Sequence, residues 1–300
     1  MSAGLDLQER PTAALDAAGP APRITVLGAA GFVGSALVQH IRSLGRECLA
    51  PLRGDAHIYR QPLGHVIYTI GLTADFRSRP LDTVEAHVCV LRRLIAEAQF
   101  DSLTYLSSTR VYAGGDDTHE GACLRVNPND ASDLYNLSKL TGEALCLHSG
   151  RAGMKVARLS NVVGVRRDAD TFIDQLLAEA AGSGRAVMRS APDGCKDYIA
   201  LDDAAALLAR IAMSSATGIF NVASGEQVSG GTVARLMQQV RGIQVDVAAN
   251  APLWDFAPIN TQRVRTEFGF QPQAFAEHFT ALLQAHGRFT DLNQRPKGQA

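Results

Sequence analysis

A turn of three glycines near the start of the sequence constrains the fold more than any other feature. A strand-like apolar run, Ile24–Leu27, precedes the turn, and a helical pattern over Ser35–Leu44 follows it. Glycines at this spacing let the backbone approach a pyrophosphate, and the helix N-terminus supplies N–H groups and a positive dipole end. In this context the turn predicts a dinucleotide site, the alternative being a tight turn without a ligand. The predicted cofactor-binding residues of the turn are Gly28, Gly31, Phe32, Val33 and Gly34.

Strand-like and helix-like segments alternate after the glycine turn. The further strand-like runs are Val66–Ile70, Leu103–Ser107 and Lys155–Leu159, and the further helical patterns are Leu81–Ala98 and Ser132–His148. This alternation predicts an α/β protein with a Rossmann-type, doubly wound parallel sheet and a smaller C-terminal substrate-binding lobe. We expect a flexible leader at 1–22, a dinucleotide-binding domain at 23–164 and 196–226, and the lobe at 165–195 and 227–300.

The second strand of this fold is expected over Cys48–Leu52, but Pro51 lies within it. Proline has no N–H to donate to a strand ladder, so we expect the strand to end near Ala50. Only about a dozen residues then remain before Val66, too few for a helix followed by a strand. The fold is therefore predicted to be abbreviated at this edge.

Composition excludes several classes of function. Lys and Arg (29) balance Asp and Glu (30), and no apolar run reaches the roughly 20 residues of a membrane span. The five cysteines are far apart with no C-x-x-C pair, and the eight histidines form no H-E-x-x-H motif. We expect a soluble, cytoplasmic protein with no metal site, no nucleic-acid partner and no membrane partner.

Two further motifs bring polar chemistry to the predicted sheet. Tyr135 and Lys139 are four residues apart, which places them on one face of a helix, where an ammonium can favour the tyrosinate. Ser108 and Thr109 follow a predicted strand, at the sheet edge where open α/β folds bind ligands. Taken singly, neither motif is specific. The Tyr135–Lys139 spacing is also typical of an ordinary exposed pair, and the hydroxyls of Ser108 and Thr109 are also typical of loop capping.

Together the motifs resemble the extended short-chain dehydrogenase/reductases, specifically the NAD-dependent epimerase/dehydratase family that modifies nucleotide sugars. The resemblance extends over roughly residues 23 to 275. Its landmarks are the glycine turn, Ser107-Ser108-Thr109-Arg110-Val111-Tyr112, Tyr135-x-x-x-Lys139, Ala157-Arg158-Leu159-Ser160-Asn161-Val162-Val163-Gly164 and Lys196-Asp197-Tyr198-Ile199-Ala200-Leu201-Asp202-Asp203.

The resemblance implies a role for particular residues. Ser108, Tyr135 and Lys139 are the expected catalytic residues, and Tyr135 and Lys139 also belong to the cofactor site. Lys196 stands where the family usually has an arginine for the diphosphate. Further cofactor contacts are expected from Arg53, Ile70 and Gly71. The expected substrate-binding residues are Thr73, Ser108, Thr109, Asn161, Lys196 and Arg263.

Two departures from the family pattern narrow the expected activity. Thr109 and Arg110 stand where 4,6-dehydratases carry Asp-Glu, which disfavours dehydration. Leu52 occupies the position of the aspartate that binds the ribose hydroxyls of NAD, and Arg53 follows it. An arginine there suits a 2′-phosphate, so the cofactor is expected to be NADP or NAD, with NADP slightly favoured.

The sequence therefore predicts hydride transfer at a ring carbon of a nucleotide sugar, as 4-keto reduction or 4-epimerisation. The alternative is a non-catalytic dinucleotide-binding or regulatory protein on a retained fold, since function resides in sites rather than folds. The helices predicted over Leu81–Ala98 and Ser132–His148 carry apolar positions beyond one sheet face. Relatives pair these helices across a two-fold axis, so a homodimer is expected.

Overall fold

The structure, a computed structural model, describes residues 23–73, 75–165 and 171–293, with only the backbone of 286–293. The leader predicted at 1–22 lies outside the described residues. A six-stranded, all-parallel sheet forms the centre, in the order β2-β1-β3-β4-β5-β9. Its strands are β1 (Ile24–Leu27), β2 (Cys48–Leu49), β3 (His65–Tyr68), β4 (Ser102–Ser108), β5 (Met154–Leu159) and β9 (Gly218–Val222). The predicted Rossmann-type α/β fold is confirmed.

Helices cover both faces of the central sheet, because each crossover between parallel strands returns over one face. The helices along the chain are α1 (Phe32–Ser43), α2 (Pro80–Val84), α3 (Val90–Glu97), α4 (Asp133–His148), α5 (Phe172–Ser183), α6 (Leu201–Met213), α7 (Gly230–Arg241), α8 (Gln262–Phe268) and α9 (Phe275–Asn293). One apolar cluster packs α1 and α6 against the sheet, and another packs α3 and α4 against its other face.

The strand order reverses between β1 and β3, which lie side by side with β2 on the outer flank of β1. In open α/β sheets this switch point forms the crevice that receives the ligand. β2 is only two residues long, and a short 3₁₀ turn at Ala56–Tyr59 fills the segment before β3. The predicted abbreviation of this edge is confirmed, since no further strand lies outside β2 in the described chain.

The helix predicted over Leu81–Ala98 is interrupted by a π-helical turn. Glu85–Cys89 forms this turn between α2 and α3. Its residue His87 is completely buried. π-Helical turns are rare and often mark functional sites, because the extra residue redirects a side chain.

A smaller body packs beyond the carboxyl end of the sheet. It contains a three-stranded sheet, β10-β8-β6, and a parallel pair, β11-β7. These strands are β6 (Asn161–Val163), β7 (Arg185–Met188), β8 (Cys195–Ala200), β10 (Gln227–Ser229) and β11 (Gln244–Val247). A separate apolar cluster, which includes Leu176, Val233 and Phe279, joins them to α5, α7 and α9.

Candidate active site

The glycine turn has two kinds of glycine. Gly28 has φ +91°, and a Cβ on it would lie 2.6 Å from Thr69 Oγ1. A Cβ on Gly34 would lie 2.2 Å from the Gly28 carbonyl oxygen. Both are therefore required by the packing of the turn itself.

Gly31 differs, since its φ of −75° is open to any residue. A Cβ there would meet only the Gly28 carbonyl oxygen, at 3.3 Å. Internal packing therefore does not require a glycine here. A glycine does leave room for a phosphate group to approach the backbone at the start of α1. No acidic side chain lies in the first turn of α1, and the residues present fit a dinucleotide.

Gly71 brings the segment after β3 against α4. A Cβ on Gly71 would lie 3.1 Å from His87 Nε2 and 3.4 Å from Lys139 Nζ. Gly71 and the glycine turn thus border the same switch point, one following β3 and the other following β1. Ile70, also predicted to contact the cofactor, is half-buried and packs on the apolar cluster beneath α3 and α4.

Tyr135 and Lys139 lie one turn apart on α4 and are both buried, with exposed fractions of 6% and 5%. They are not an exposed surface pair. Lys139 Nζ donates to the Leu106 carbonyl oxygen at 2.8 Å, which holds it against β4. Ser108 ends β4 and accepts a hydrogen bond from the Arg110 N–H at 3.2 Å. The register of β4 and the axis of α4 therefore bring all three predicted catalytic side chains together.

Burial sets the protonation of this group. It raises the pKa of Tyr135, while a hydrogen bond with Ser108 and the positive charge of Arg110 act against that rise. Burial lowers the pKa of Lys139 to about 7, although Glu143 favours its charged form. The lysine is thus near the point where it exchanges a proton at neutral pH, and the tyrosine is held protonated.

A buried ion pair fixes the relation between α4 and the sheet. Arg158 donates to both carboxylate oxygens of Glu143, at 2.7 to 3.2 Å, and both side chains are about 4% exposed or less. Ser107 pairs with Arg158 across β4 and β5, and its hydroxyl donates to Glu143 at 2.5 Å. Since Glu143 is one turn beyond Lys139, the pair sets the height of α4 against β4.

One pocket beside Tyr135 collects most of the predicted substrate-binding residues. Five of the six line it, namely Thr73, Ser108, Thr109, Asn161 and Lys196. Phe76 packs on the Tyr135 ring with centroids 5.3 Å apart and closes one side. The pocket therefore brings predicted substrate-binding residues from β4, β6 and β8 next to the Ser108–Tyr135 pair.

The sequence was compared with known proteins. The model of the NAD dependent epimerase/dehydratase family matches residues 24–223, which is two-thirds of the 300-residue chain. The chain belongs to this family. No curated protein matches the sequence significantly.

Several solved structures share the fold of this family member. MoeE5 in complex with UDP-glucose and NAD is 20% identical, covering 89% of this chain and 99% of its own, with a TM-score of 0.75. UDP-glucuronic acid 4-epimerase from Bacillus cereus, in complex with UDP-glucuronic acid and NAD, is 16% identical, covering 90% of this chain and 99% of its own, with a TM-score of 0.72. RMD from Pseudomonas aeruginosa, complexed with NADPH, is 18% identical, covering 88% of this chain and 98% of its own, with a TM-score of 0.70. At these identities the likeness is one of fold.

Two predicted site residues of this epimerase/dehydratase family member lie outside the pocket beside Tyr135. Arg53 is exposed in the turn after β2. Arg263, on α8, donates to the carbonyl oxygens of Thr217 and Ile219 at 2.8 and 2.5 Å and pairs with Glu267. It lines a different surface pocket from Tyr135, so the structure does not bring it to the other substrate residues.

His87 lies beside Gly71, next to the candidate site, and was not predicted. Its Nε2 accepts the Leu72 N–H at 3.2 Å, and its Nδ1 lies 2.8 Å from Ser138 Oγ. Since Nε2 accepts, Nδ1 carries the proton and donates to Ser138. Burial, reinforced by Lys139, lowers the pKa of His87 to about 3, so the ring is neutral. It positions the Gly71–Leu72 segment against α4.

The residues that line the pocket and were not predicted are Phe76, Arg110, Ser160, Asp197, Phe256 and Ile259. Arg110, Ser160 and Asp197 adjoin predicted residues, so their motifs carried a signal for them. Phe76, Phe256 and Ile259 come from loops whose sequence shows no periodicity or motif.

Within the described ranges, no group of three or more His, Cys, Asp or Glu side chains is arranged to hold a metal ion. No helix in that part of the chain is both long and apolar enough to cross a bilayer.

Proposed function

We propose that this protein transfers a hydride between a nicotinamide dinucleotide and a ring carbon of a nucleotide sugar, as a 4-keto reduction or a 4-epimerisation. One observation carries the proposal: Ser108, Tyr135 and Lys139 meet in a buried cluster beside both the glycine turn's switch point and the pocket. The family and the complexes of solved relatives with nucleotide sugars support the general reaction class.

The proposed cofactor is NADP or NAD, held by Gly28, Gly31 and Gly34 with the Gly71 segment opposite. When bound, it supplies or accepts the hydride. Relatives complexed with NAD and with NADPH support a nicotinamide dinucleotide without selecting between the two. The exposed Arg53 after β2 is our reason for slightly favouring NADP.

The chain's own residues move the proton and steady the charge. Tyr135 exchanges a proton with the reacting hydroxyl of the sugar, acting as general acid or base. Ser108 donates a hydrogen bond to the oxygen on which charge develops. Lys139 orients the cofactor's ribose and favours the tyrosinate. Pre-formed burial of this group keeps water from competing for the proton.

The pocket also bears on which reaction is catalysed. Beside Ser108 it offers Thr109 and Arg110 and no carboxylate at those positions, which favours reduction or epimerisation over dehydration. An epimerase retains its dinucleotide between turnovers, whereas a reductase must exchange it.

One observation favours a second candidate, a non-catalytic dinucleotide-binding or regulatory protein. The two-residue β2 leaves little strand to support the adenosine end of a dinucleotide. The buried Tyr135–Lys139 pair argues for catalysis, because a protein that only binds has no use for two desolvated titratable groups.

A homodimer and a cytoplasmic location complete the proposal. The exposed side of α3 and α4 forms a shallow groove that includes Ile95, Ala96, Ala144 and Leu145, which suits a self-complementary helical contact. All five cysteines lie within the described chain and are unpaired, which supports a reducing compartment.

The experiment that tests the function begins with the dinucleotide content of the purified protein. The protein is then incubated with UDP-, GDP-, dTDP- and CDP-sugars while nicotinamide absorbance and product sugars are followed, with Tyr135→Phe as the matched control. Turnover that depends on Tyr135 is the expected result. Tight dinucleotide binding with no turnover of any sugar supports the binding protein instead, and no binding of either dinucleotide contradicts both.

A further inference from the structure

Arg110 is a cation beside the reacting group without a partner of its own. It lies two residues after Ser108, in the 3₁₀ turn Thr109–Tyr112 that follows β4. This turn places its guanidinium carbon 5.8 Å from the Tyr135 ring centroid and 5.3 Å from that of Phe76. Its Nε is buried and has no hydrogen-bond partner. Within the described chain, the guanidinium has ring faces around it and no acceptor.

No carboxylate in the described chain neutralises this charge. Asp130 and Asp133 act on Arg110 only at a distance, and both accept hydrogen bonds from other groups. Asp197, the acid that lines the pocket, accepts three hydrogen bonds from Ser224 and Gly225, at 2.6 to 3.0 Å. A half-buried cation left without a counter-charge is costly, so the arrangement is one that a bound anion completes.

The pocket holds a second such cation, and the two have different positions. Lys196 on β8 lies with its Nζ 5.4 Å from the Phe172 ring centroid. Burial, and after it the charge of Arg110, lowers the pKa of Lys196. Lys196 is the residue proposed for the diphosphate. Arg110 instead stands against Tyr135, whose hydroxyl must reach the reacting carbon. A ligand that pairs with both cations has its diphosphate at Lys196 and a second anionic group at Arg110, next to the reaction centre.

The chemistry of a pyranose identifies that second group. Carbon 4 is flanked by carbon 3, which bears a hydroxyl, and by carbon 5, which bears carbon 6. When carbon 6 is oxidised to a carboxylate, the sugar carries an anionic group on carbon 5, the ring neighbour of the reacting carbon. We propose that the substrate is a nucleotide-linked uronic acid and that Arg110 binds its carboxylate. This inference rests on the proposed function and narrows its substrate class.

Arginine suits this task better than lysine, because its planar fork donates two parallel hydrogen bonds to a carboxylate. The ring faces of Phe76 and Tyr135 hold the fork in place. Arg110 is therefore a specificity-determining residue that separates acidic from neutral sugars.

The test compares two pairs of probes that differ only at carbon 6: UDP-glucuronic acid with UDP-glucose, and dTDP-glucuronic acid with dTDP-glucose. Calorimetry measures each on the dinucleotide-loaded protein. The parent is expected to bind an acidic sugar about tenfold more tightly or better, the effect of hydrogen bonds to a charged group. Arg110→Gln brings this ratio close to one, and Arg110→Lys retains part of it.

Arg77→Gln is the matched control. Arg77 lies 4.5 Å from the Phe76 ring centroid, bonds Ser132 and does not line the pocket, so its loss leaves the preference intact. Equal binding of acidic and neutral sugars by the parent overturns the inference and leaves the proposed function standing. So does an Arg110→Gln protein that keeps the preference, or that loses affinity for the acidic and the neutral sugar equally. Absence of binding by all four probes, together with no turnover of any sugar in the panel above, refutes the proposed function and the inference with it. If only a GDP- or CDP-sugar is turned over, the same comparison is made between acidic and neutral sugars of that nucleotide.

Discussion

At the scale of single residues, the site is defined by burial. Tyr135 and Lys139 are an i, i+4 pair of a kind that is common on exposed helices, where it contributes only a few tenths of a kcal/mol to stability. Here both are enclosed by α4, β4 and the loop that carries Phe76. Enclosure raises the pKa of Tyr135 and lowers that of Lys139, which supports the proposed catalytic role over that of an ordinary surface pair.

Replacing Tyr135 by phenylalanine tests its role in proton transfer. The ring contacts with Phe76 and His87 remain, so ground-state binding is expected to persist. Turnover should fall by about 10²- to 10⁴-fold, the usual contribution of a general acid–base group, with little change in KM. Steady-state kinetics on the sugar found active in the panel measures this.

Ser108→Ala is the companion variant and should also slow turnover, since it removes a donor to the oxygen that gains charge. A Tyr135→Phe protein that keeps more than about half of the parent turnover would fall far outside the acid–base range and rule out the catalytic assignment.

Replacing Arg53 by aspartate tests cofactor choice. The exchange removes a partner for a 2′-phosphate and adds an acceptor for ribose hydroxyls, so the preference should move from NADP toward NAD. A hydrogen bond to a charged group contributes about 1.5–3 kcal/mol, so the ratio of dissociation constants should change by about tenfold or more. Arg46→Asp, at a half-buried arginine just before β2, is the control for general charge. A parent that already binds NAD much more tightly than NADP contradicts the assignment.

Sequence alone predicted which residues come together where their positions are encoded locally. Ser108, Tyr135 and Lys139 have fixed positions relative to one strand end and one helix, so their motifs were enough to predict that they lie close together. His87 and Phe76 have no such signature, because the π-helical turn and the loop after β3 bring them to Tyr135. Arg263 was expected at the substrate, but its guanidinium is used by backbone carbonyls and Glu267.

At the scale of elements, the glycine turn contains glycines that packing requires and one, Gly31, that only ligand binding would require. Gly31→Leu should abolish dinucleotide binding with little loss of stability, since a side chain there meets little of the protein and occupies the space of the phosphates. Gly34→Ala is the matched variant, because its Cβ meets the Gly28 carbonyl and should lower the unfolding free energy by about 1–3 kcal/mol. Calorimetry and thermal unfolding measure the two effects. Unchanged binding of NAD and NADP by Gly31→Leu removes the basis for the site.

Elements were predicted well where a periodic pattern filled them. The strands β1, β4 and β5 lie within one residue of their predicted ends, and α4 begins one residue after its predicted start. The π-helical turn was missed, because its side chains keep an ordinary helical pattern and only the backbone reveals it. The end of β2 followed from Pro51, since a missing donor is visible in the sequence.

At the scale of the whole molecule, the groove between α3 and α4 predicts a two-fold homodimer. Light scattering at micromolar concentration should give twice the chain mass of 32.0 kDa. Ala144→Glu places a charge on the exposed face of α4 and should shift the protein toward one chain, while Glu277→Ala on the distant α9 should not. A parent that scatters as a single chain contradicts the prediction.

The two margins of the central sheet also bear on how the protein behaves at high concentration. An edge strand with a row of free backbone groups is a template on which a strand of another molecule can add, the first step toward aggregates. β2 offers only two residues before Pro51 ends it. At the other margin, Arg263 occupies the Thr217 and Ile219 carbonyl oxygens along β9. Arg263, which does not line the substrate pocket, thus leaves fewer free backbone acceptors at this edge for a strand of another molecule. Replacing it is expected to increase aggregation at high concentration before it lowers turnover.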